Sequence, residues 1–256
     1  MPDLDIELIP ALSDNYIFLL HDPETGATGI VDPADPSPVI ARLEDRGLTL
    51  THILNTHHHG DHVGGNQALK ARYGCTIVGP KADRDRIPGI DVEVGDGDHY
   101  QFGSFKARVI DVPGHTRGHI AYWFEDQKAA FVGDTLFAMG CGRLFEGTPA
   151  QMWTSLQKLM QMPDDTRIYC AHEYTQSNGR FALSVEPGNK ALRDRMIHVD
   201  VARAKGEQTI PTTMGLEKAT NPFLRPASSN LQATLGLPGD DLVAVFAETR
   251  ARKDCF

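Results

Sequence analysis

Long unbroken apolar runs are missing from this 256-residue sequence, and with them any segment able to cross a bilayer as a helix. A basic leader is missing too. Met1-Pro2-Asp3-Leu4-Asp5 is acidic where a secretory signal or mitochondrial presequence carries Lys or Arg, so the expectation is a cytoplasmic protein with no membrane partner. Cysteine is scarce: Cys75, Cys141, Cys170 and Cys255 form no C-x-x-C pair, suggesting neither a zinc ribbon nor a disulfide framework, and all four read as reduced and structural. Positive charge is short as well. With 25 Lys and Arg against 34 Asp and Glu, the net charge of -9 argues against a general nucleic-acid binder, which holds phosphates through surplus cations. No internal repeat or low-complexity tract is evident, and nothing calls for an obligate assembly, so a monomer is expected.

What is present is an ordinary soluble composition, 41% hydrophobic and 23% charged, on a chain long enough for one large domain or a main domain with an appendage. Residues 1–173 carry 14 Lys and Arg against 25 Asp and Glu, whereas residues 174–256 carry 11 against 9, so the tail is mildly basic beside an acidic body. The apolar runs Ile6–Ile9, Tyr16–Leu20 and Ile30-Val31 predict a sheet-rich start. Helices are predicted over 38–46 with Ser37 as cap, and over 66–72 stopped by Gly74. Strands are predicted at 52–55, 76–78, 101–112, 120–124, 129–132 and 168–170, with a Gly- and Asp-marked turn at 95–98. Thr148-Pro149 opens a helix to about Met160. Beyond residue 173 the texture changes to helical patterns near 175–185, 189–205 and 240–253, with 209–238 read as loop and short helical turns. This places a domain boundary near residue 173, giving units 1–173 and 174–256.

The chemistry concentrates in Thr56-His57-His58-His59-Gly60-Asp61-His62-Val63-Gly64-Gly65, which directly follows the predicted strand at 52–55. In extended chain His57 and His59 project the same way, while Asp61 and His62 lie on the next turn. Four imidazole and carboxylate groups within six residues repel or desolvate one another unless a cation holds them. His115, Asp134 and His172 each follow an apolar run. Together the seven exceed one tetrahedral zinc but suit two ions if a carboxylate bridges them, and zinc, iron and manganese all accept such ligands, zinc foremost. His58 is expected to point away from its neighbours, and His119 to orient a ligand from behind. His21, His52, His99 and His198 have no ligand-like context.

The signature His57-x-His59-x-Asp61-His62 resembles the metallo-beta-lactamase superfamily over residues 1–173. That resemblance implies an α+β fold, a four-layer αββα sandwich followed here by a C-terminal helical domain. It implies one metal on His57, His59 and His115, a second on Asp61, His62 and His172, and Asp134 as bridge, with Asp61 and Asp134 catalytic alongside a metal-bridging hydroxide.

Further segments extend the likeness into the tail: 11–16, 133–137, 140–147, His172-Glu173-Tyr174, 186–189 and Arg250-Ala251-Arg252-Lys253-Asp254 resemble the hydroxyacylglutathione hydrolase (glyoxalase II) family. The family implies a glutathione thioester substrate, S-D-lactoylglutathione, cleaved to glutathione and D-lactate in the second step of methylglyoxal removal. It implies substrate contacts at Arg143, Phe145, Tyr174, Asn178, Arg250 and Lys253. Some members carry Lys at the Arg143 position and Tyr at the Phe145 position, so a hydroxyl contact is absent here. Arg250 and Lys253 stand three apart on a predicted helix and share a face able to grip a carboxylate, or to complement the helix end. Three other readings stay open: an iron-dependent persulfide dioxygenase, a phosphodiesterase or nuclease using paired metals, and a metal-stabilised binding protein without turnover.

Overall fold

In this computed structural model residues 3–256 are described, so Met1 and Pro2 of the acidic N-terminal stretch lie outside the described residues. Strand β1 (Asp5–Ala11) pairs antiparallel with β2 (Asn15–His21), and β2 with β3 (Thr28–Val31). After β3 come α1 (Pro36–Arg46), β4 (His52–Leu54), the single-turn α2 (Gly60–Val63), α3 (Asn66–Tyr73), β5 (Thr76–Pro80) and β6 (Val92–Val94). β3 to β6 run parallel, completing a six-stranded mixed sheet in the order β1 to β6. The register explains the continuous apolar strands. Leu19, Ile30, Ile53 and Ile77 are cross-strand neighbours in one row, clustered with Val39 and Leu43 of α1 and Leu69 of α3. The alternate row, Phe18, Val31, Leu54 and Val78, faces the other way. Both faces are covered, as parallel strands require.

That second face meets another sheet. β7 (His99–Phe102), β8 (Phe105–Asp111), β9 (Ile120–Phe124) and β10 (Ala129–Gly133) are antiparallel neighbours in chain order. Phe18 packs on Phe131 with ring centroids 5.5 Å apart. The buried Tyr122 hydroxyl donates to the Asn55 carbonyl at 3.0 Å, fixing the end of β4 just before the histidine cluster. The single strand expected over 101–112 is instead a hairpin, because Gly103 takes a left-handed φ of 55° and lets Ser104 N donate to the buried Asp22 carboxylate at 2.7 Å. Helix α1 starts two residues earlier than expected. Asp35, not Ser37, is its cap: the Asp35 carboxylate accepts from Ser37 N at 2.7 Å, and Pro36 supplies the first helical φ.

These elements form one compact unit, residues up to Asp111 with Arg117–Gly133; a second comprises Val112–Thr116 with Asp134–Phe256. The second holds the two-residue ribbon β11 (Leu136–Phe137) and β12 (Gly140–Cys141), then α4 (Pro149–Leu159), β13 (Arg167–Cys170), α5 (Thr175–Val185), α6 (Lys190–Ala204), β14 (Thr212–Thr213), α7 (Met214–Thr220), α8 (Ser229–Leu235) and α9 (Leu242–Asp254). Thr148 caps α4 in a full capping box with Gln151. The stretch expected as loop with short helical turns, 209–238, holds the short helices α7 and α8 together with the two-residue β14. Its Ser, Thr and Asn residues are caps, Thr213 for α7, Asn221 for a 3-10 turn and Ser228 for α8. Met139, Ala182, Leu192, Met196 and Val199 form a core beneath α5 and α6. Cys75, Cys141 and Cys170 are buried free thiols as expected, but Cys255 is exposed and packs no core. Among the described residues no helix is long and apolar enough to cross a membrane.

Candidate metal centre

The first unit gathers four of the expected ligands. His57 stands three residues past the end of β4, and its ring lies 4.8 Å from that of His59 and 4.0 Å from that of His62. His62 Nε2 is 3.6 Å from an Asp61 oxygen. His57 and His62 are fully buried.

Their tautomers are fixed from behind by a residue the sequence reading did not single out. Asp32 follows β3 with a left-handed φ of 50° and is buried. Its Oδ1 accepts from Thr56 N at 2.8 Å, and its Oδ2 accepts from the Thr56 hydroxyl at 2.7 Å and His62 Nδ1 at 3.0 Å. Because the Thr56 proton goes to Asp32, its oxygen accepts from His57 Nδ1 at 3.1 Å. Both imidazoles therefore carry hydrogen on Nδ1 and present a lone pair on Nε2, the form a metal requires. Asp32, His57 and His62 also bring donor atoms within 4.8 Å of one another. Asp32 has both oxygens committed to these donors, so it orients ligands instead of serving as one. Asn15 does the same for Asp61, donating to its Oδ2 at 3.1 Å. His119 is buried with its ring stacked on His57 at 4.5 Å, as expected of a supporting residue. A lone Asp after an apolar strand was the available signal for Asp32, and it is the signal that marked Asp134.

The second unit gathers the other three. His115 Nδ1 faces the Arg143 carbonyl at 2.9 Å; a carbonyl only accepts, so this nitrogen bears the hydrogen and Nε2 presents its lone pair. That Nε2 is 3.4 Å from Asp134 Oδ2, and His172 Nε2 is 3.4 Å from Asp134 Oδ1. A charge-assisted hydrogen bond would close to about 2.7–2.9 Å. Two ligands on one tetrahedral zinc, with bonds of about 2.0–2.1 Å, stand about 3.3 Å apart. The two oxygens of one carboxylate thus each face a different histidine at a ligand-to-ligand distance. The donor set fits a divalent metal.

Around this half lie the expected substrate residues. Phe145 is 63% exposed, its ring centroid 5.2 Å from that of His115. Tyr174 stacks on His172 at 4.7 Å with planes 2° apart. Asn178 is buried and donates to the Ala138 carbonyl at 3.2 Å, propping the turn between β11 and β12. Arg250 and Lys253 differ sharply. Arg250 is buried, donating to the Cys141 carbonyl at 2.9 Å and to Asp254 at 2.9 and 3.1 Å. Lys253 is partly exposed over the rings of Phe181 and Phe256, and burial, followed by the nearby charges of Arg250 and Arg143, holds its pKa below the ordinary lysine value. The Arg143 side chain is 66% exposed, its Nε 3.9 Å from Asp254.

Comparison with known proteins matches both parts of the chain. A family model described as the metallo-beta-lactamase superfamily fits residues 13–172, and one described as the hydroxyacylglutathione hydrolase C-terminus fits residues 173–256. The hydroxyacylglutathione hydrolase of Methylococcus capsulatus is 59% identical over 253 residues, covering 99% of each chain, and that of Maricaulis maris 53% identical over 256 residues, covering 100% of each. Among solved structures, ETHE1 from Myxococcus xanthus is 27% identical with a TM-score of 0.67, covering 98% of this chain and 99% of that one. A protein crystallised in a di-iron-bound form is 25% identical with a TM-score of 0.61, covering 84% of this chain and 98% of that one. The fold is accordingly the α+β metallo-beta-lactamase sandwich followed by a helical region.

Proposed function

The chain belongs to the hydroxyacylglutathione hydrolase family of the metallo-beta-lactamase superfamily, and on that footing we propose that it hydrolyses S-(2-hydroxyacyl)glutathione thioesters, converting S-D-lactoylglutathione to glutathione and D-lactate as the second step of methylglyoxal detoxification. The observation that carries the metal part of this reading is Asp134, whose two oxygens each face a different histidine at 3.4 Å. In this reading His57, His59 and His115 would hold one divalent ion and Asp61, His62 and His172 the other, with Asp134 shared between them. Zinc suits the nitrogen-rich set best, with iron and manganese also accepted. When bound, such a pair makes water nucleophilic near neutral pH and polarises a carbonyl.

The chain's own residues do the rest. Asp32 and Thr56 hold the imidazoles in the tautomer that presents Nε2. Tyr174 and Phe145, exposed beside His172 and His115, provide apolar flanks for the acyl and cysteinyl portions of the substrate. Arg143 and Lys253 supply the cationic surface for the glycine carboxylate, Arg250 and Asn178 supporting it through the β11–β12 turn. The departing thiol has a pKa near ~8.5 and leaves as thiolate without a strong general acid. Residues 1–173 serve in this reading as the catalytic domain and 174–256 as the glutathione-binding domain of a cytoplasmic monomer that takes no nucleic acid.

The test is a steady-state assay with S-D-lactoylglutathione on protein whose metal content has been measured. Two ions per chain with thioester turnover are expected, with turnover falling on the order of 100-fold or more in His59→Ala and Asp134→Asn. One iron per chain with oxygen consumption on glutathione persulfide would favour a dioxygenase instead. Cleavage of a bis-phosphate ester without thioester turnover would favour a phosphodiesterase.

A further inference from the structure

Between the proposed ligands His57 and His59 stands His58, and the structure gives its ring a defined purchase on Asp83 and Arg86. Its Nε2 lies 3.1 Å from Arg86 Nη1, and a guanidinium only donates, so Nε2 accepts. Its Nδ1 then bears the hydrogen and donates to Asp83 Oδ2 at 3.0 Å. Arg86 Nη2 donates to the other oxygen, Asp83 Oδ1, which closes a ring of three side chains. The Asp83 carboxylate is wholly buried, the His58 side chain 17% exposed and that of Arg86 30% exposed. A buried carboxylate so far from solvent costs free energy unless it is fully bonded, and nothing in the proposed reaction uses it directly.

Asp83 also touches the cluster by a second route. A Cβ on Gly118 would stand 2.1 Å from Asp83 Oδ1, so the carboxylate abuts bare backbone there. The next residue, His119, stacks on His57 at 4.5 Å with planes 20° apart. One carboxylate therefore bears on His57 from its chain neighbour and from the residue stacked on its ring.

We infer that Asp83, through the His58–Arg86 ring and Gly118, is a positioning residue that sets the orientation of His57 and His59 toward the metal. The His58 ring lies 4.9 Å from that of His59 and 6.4 Å from that of His57, while the His57 and His59 rings are 4.8 Å apart. Pinning His58 between its two neighbours restricts the backbone they share and the space into which the His59 ring can turn, which aims both ligands together. The inference rests on the reading of His57 and His59 as ligands.

The experiment follows zinc release from the loaded full-length protein to a chromophoric chelator, with the Tm of the metal-free protein measured alongside. His58→Asn keeps a donor where Nδ1 stands and should release metal at close to the parent rate. His58→Phe keeps the ring shape without the hydrogen bonds, and it and Asp83→Asn should release metal about 10- to 100-fold faster, the usual effect of losing an outer partner of a ligand. His59→Ala serves as the control for the reading itself: if it retains full metal content, the ligand assignment is wrong. If His59→Ala loses metal while His58→Phe releases it at the parent rate, the positioning role is overturned. Should Asp83→Asn fail to fold, the comparison of His58→Phe with His58→Asn decides alone. A lowered metal-free Tm with unchanged release in His58→Phe would assign the ring to stability and overturn the inference.

Discussion

Lys253 and Arg250 sit one helical turn apart on α9, yet their surroundings assign them different work. The Lys253 ammonium is held below its ordinary pKa, first by burial and then by Arg250 and Arg143. A cation that grips a carboxylate stops doing so when it deprotonates, and a depressed pKa brings that loss to lower pH. We expect KM for the thioester to climb, at constant kcat, as pH rises toward but still below the ordinary lysine pKa of about 10.4. In Lys253→Arg the climb should disappear, since a guanidinium stays charged. A KM flat across that range in the parent would remove Lys253 from binding. Arg250, buried with three donors engaged, should behave otherwise. Arg250→Ala is expected to lower stability by on the order of 2 kcal/mol as well as raising KM, whereas Lys253→Ala raises KM alone, which denaturant unfolding beside kinetics will distinguish. Their shared helix face was legible from spacing; the division of labour was not, because it depends on the Cys141 carbonyl, 109 residues away in sequence.

At the scale of elements, α4 offers the cleanest test of local encoding. Thr148 and Pro149 announce its start in sequence, and the structure adds the reciprocal capping bonds between Thr148 and Gln151. Thr148→Ala should cost about 1 kcal/mol, read as a lower denaturant midpoint at unchanged m, with the metal content unaltered. Strands β2, β4 and β10 were equally readable, since burial on both faces leaves a continuous apolar run. The ribbon β11–β12 was not, because two residues per strand show no period and its geometry rests on Asn178 and Asn221 reaching in from the helical region. Asp32 escaped notice for a related reason. Its partners, Thr56 and His62, are remote in sequence, and a single Asp before Pro33 reads locally as a turn.

For the molecule as a whole, the proposed ions bind the folded chain and should contribute to its stability by mass action. Chelation is expected to lower Tm, and Tm should rise with free zinc, by the equivalent of about 2.7 kcal/mol at a hundredfold excess over Kd. A Tm indifferent to chelator would remove the metal from the folding equilibrium. Strand and helix periods are local and revealed individual elements, whereas the fold class was open to reading through the resemblance carried by His57-x-His59-x-Asp61-His62. The grouping of Val112–Thr116 with Asp134–Phe256 was not, since it arises from contacts between segments that leave no trace in composition. The boundary placed near residue 173 marked a change of texture, which is a different property from the clustering of contacts.

The cysteines carry one more consequence. Three thiols are sealed in the interior and only Cys255 is exposed, so an alkylating dye should take up a single equivalent on the native chain and four once it is unfolded. Counting dye under increasing urea would then report the opening of both units by mass spectrometry, with each buried cysteine identified by its own peptide, and without any probe having to be engineered into the protein.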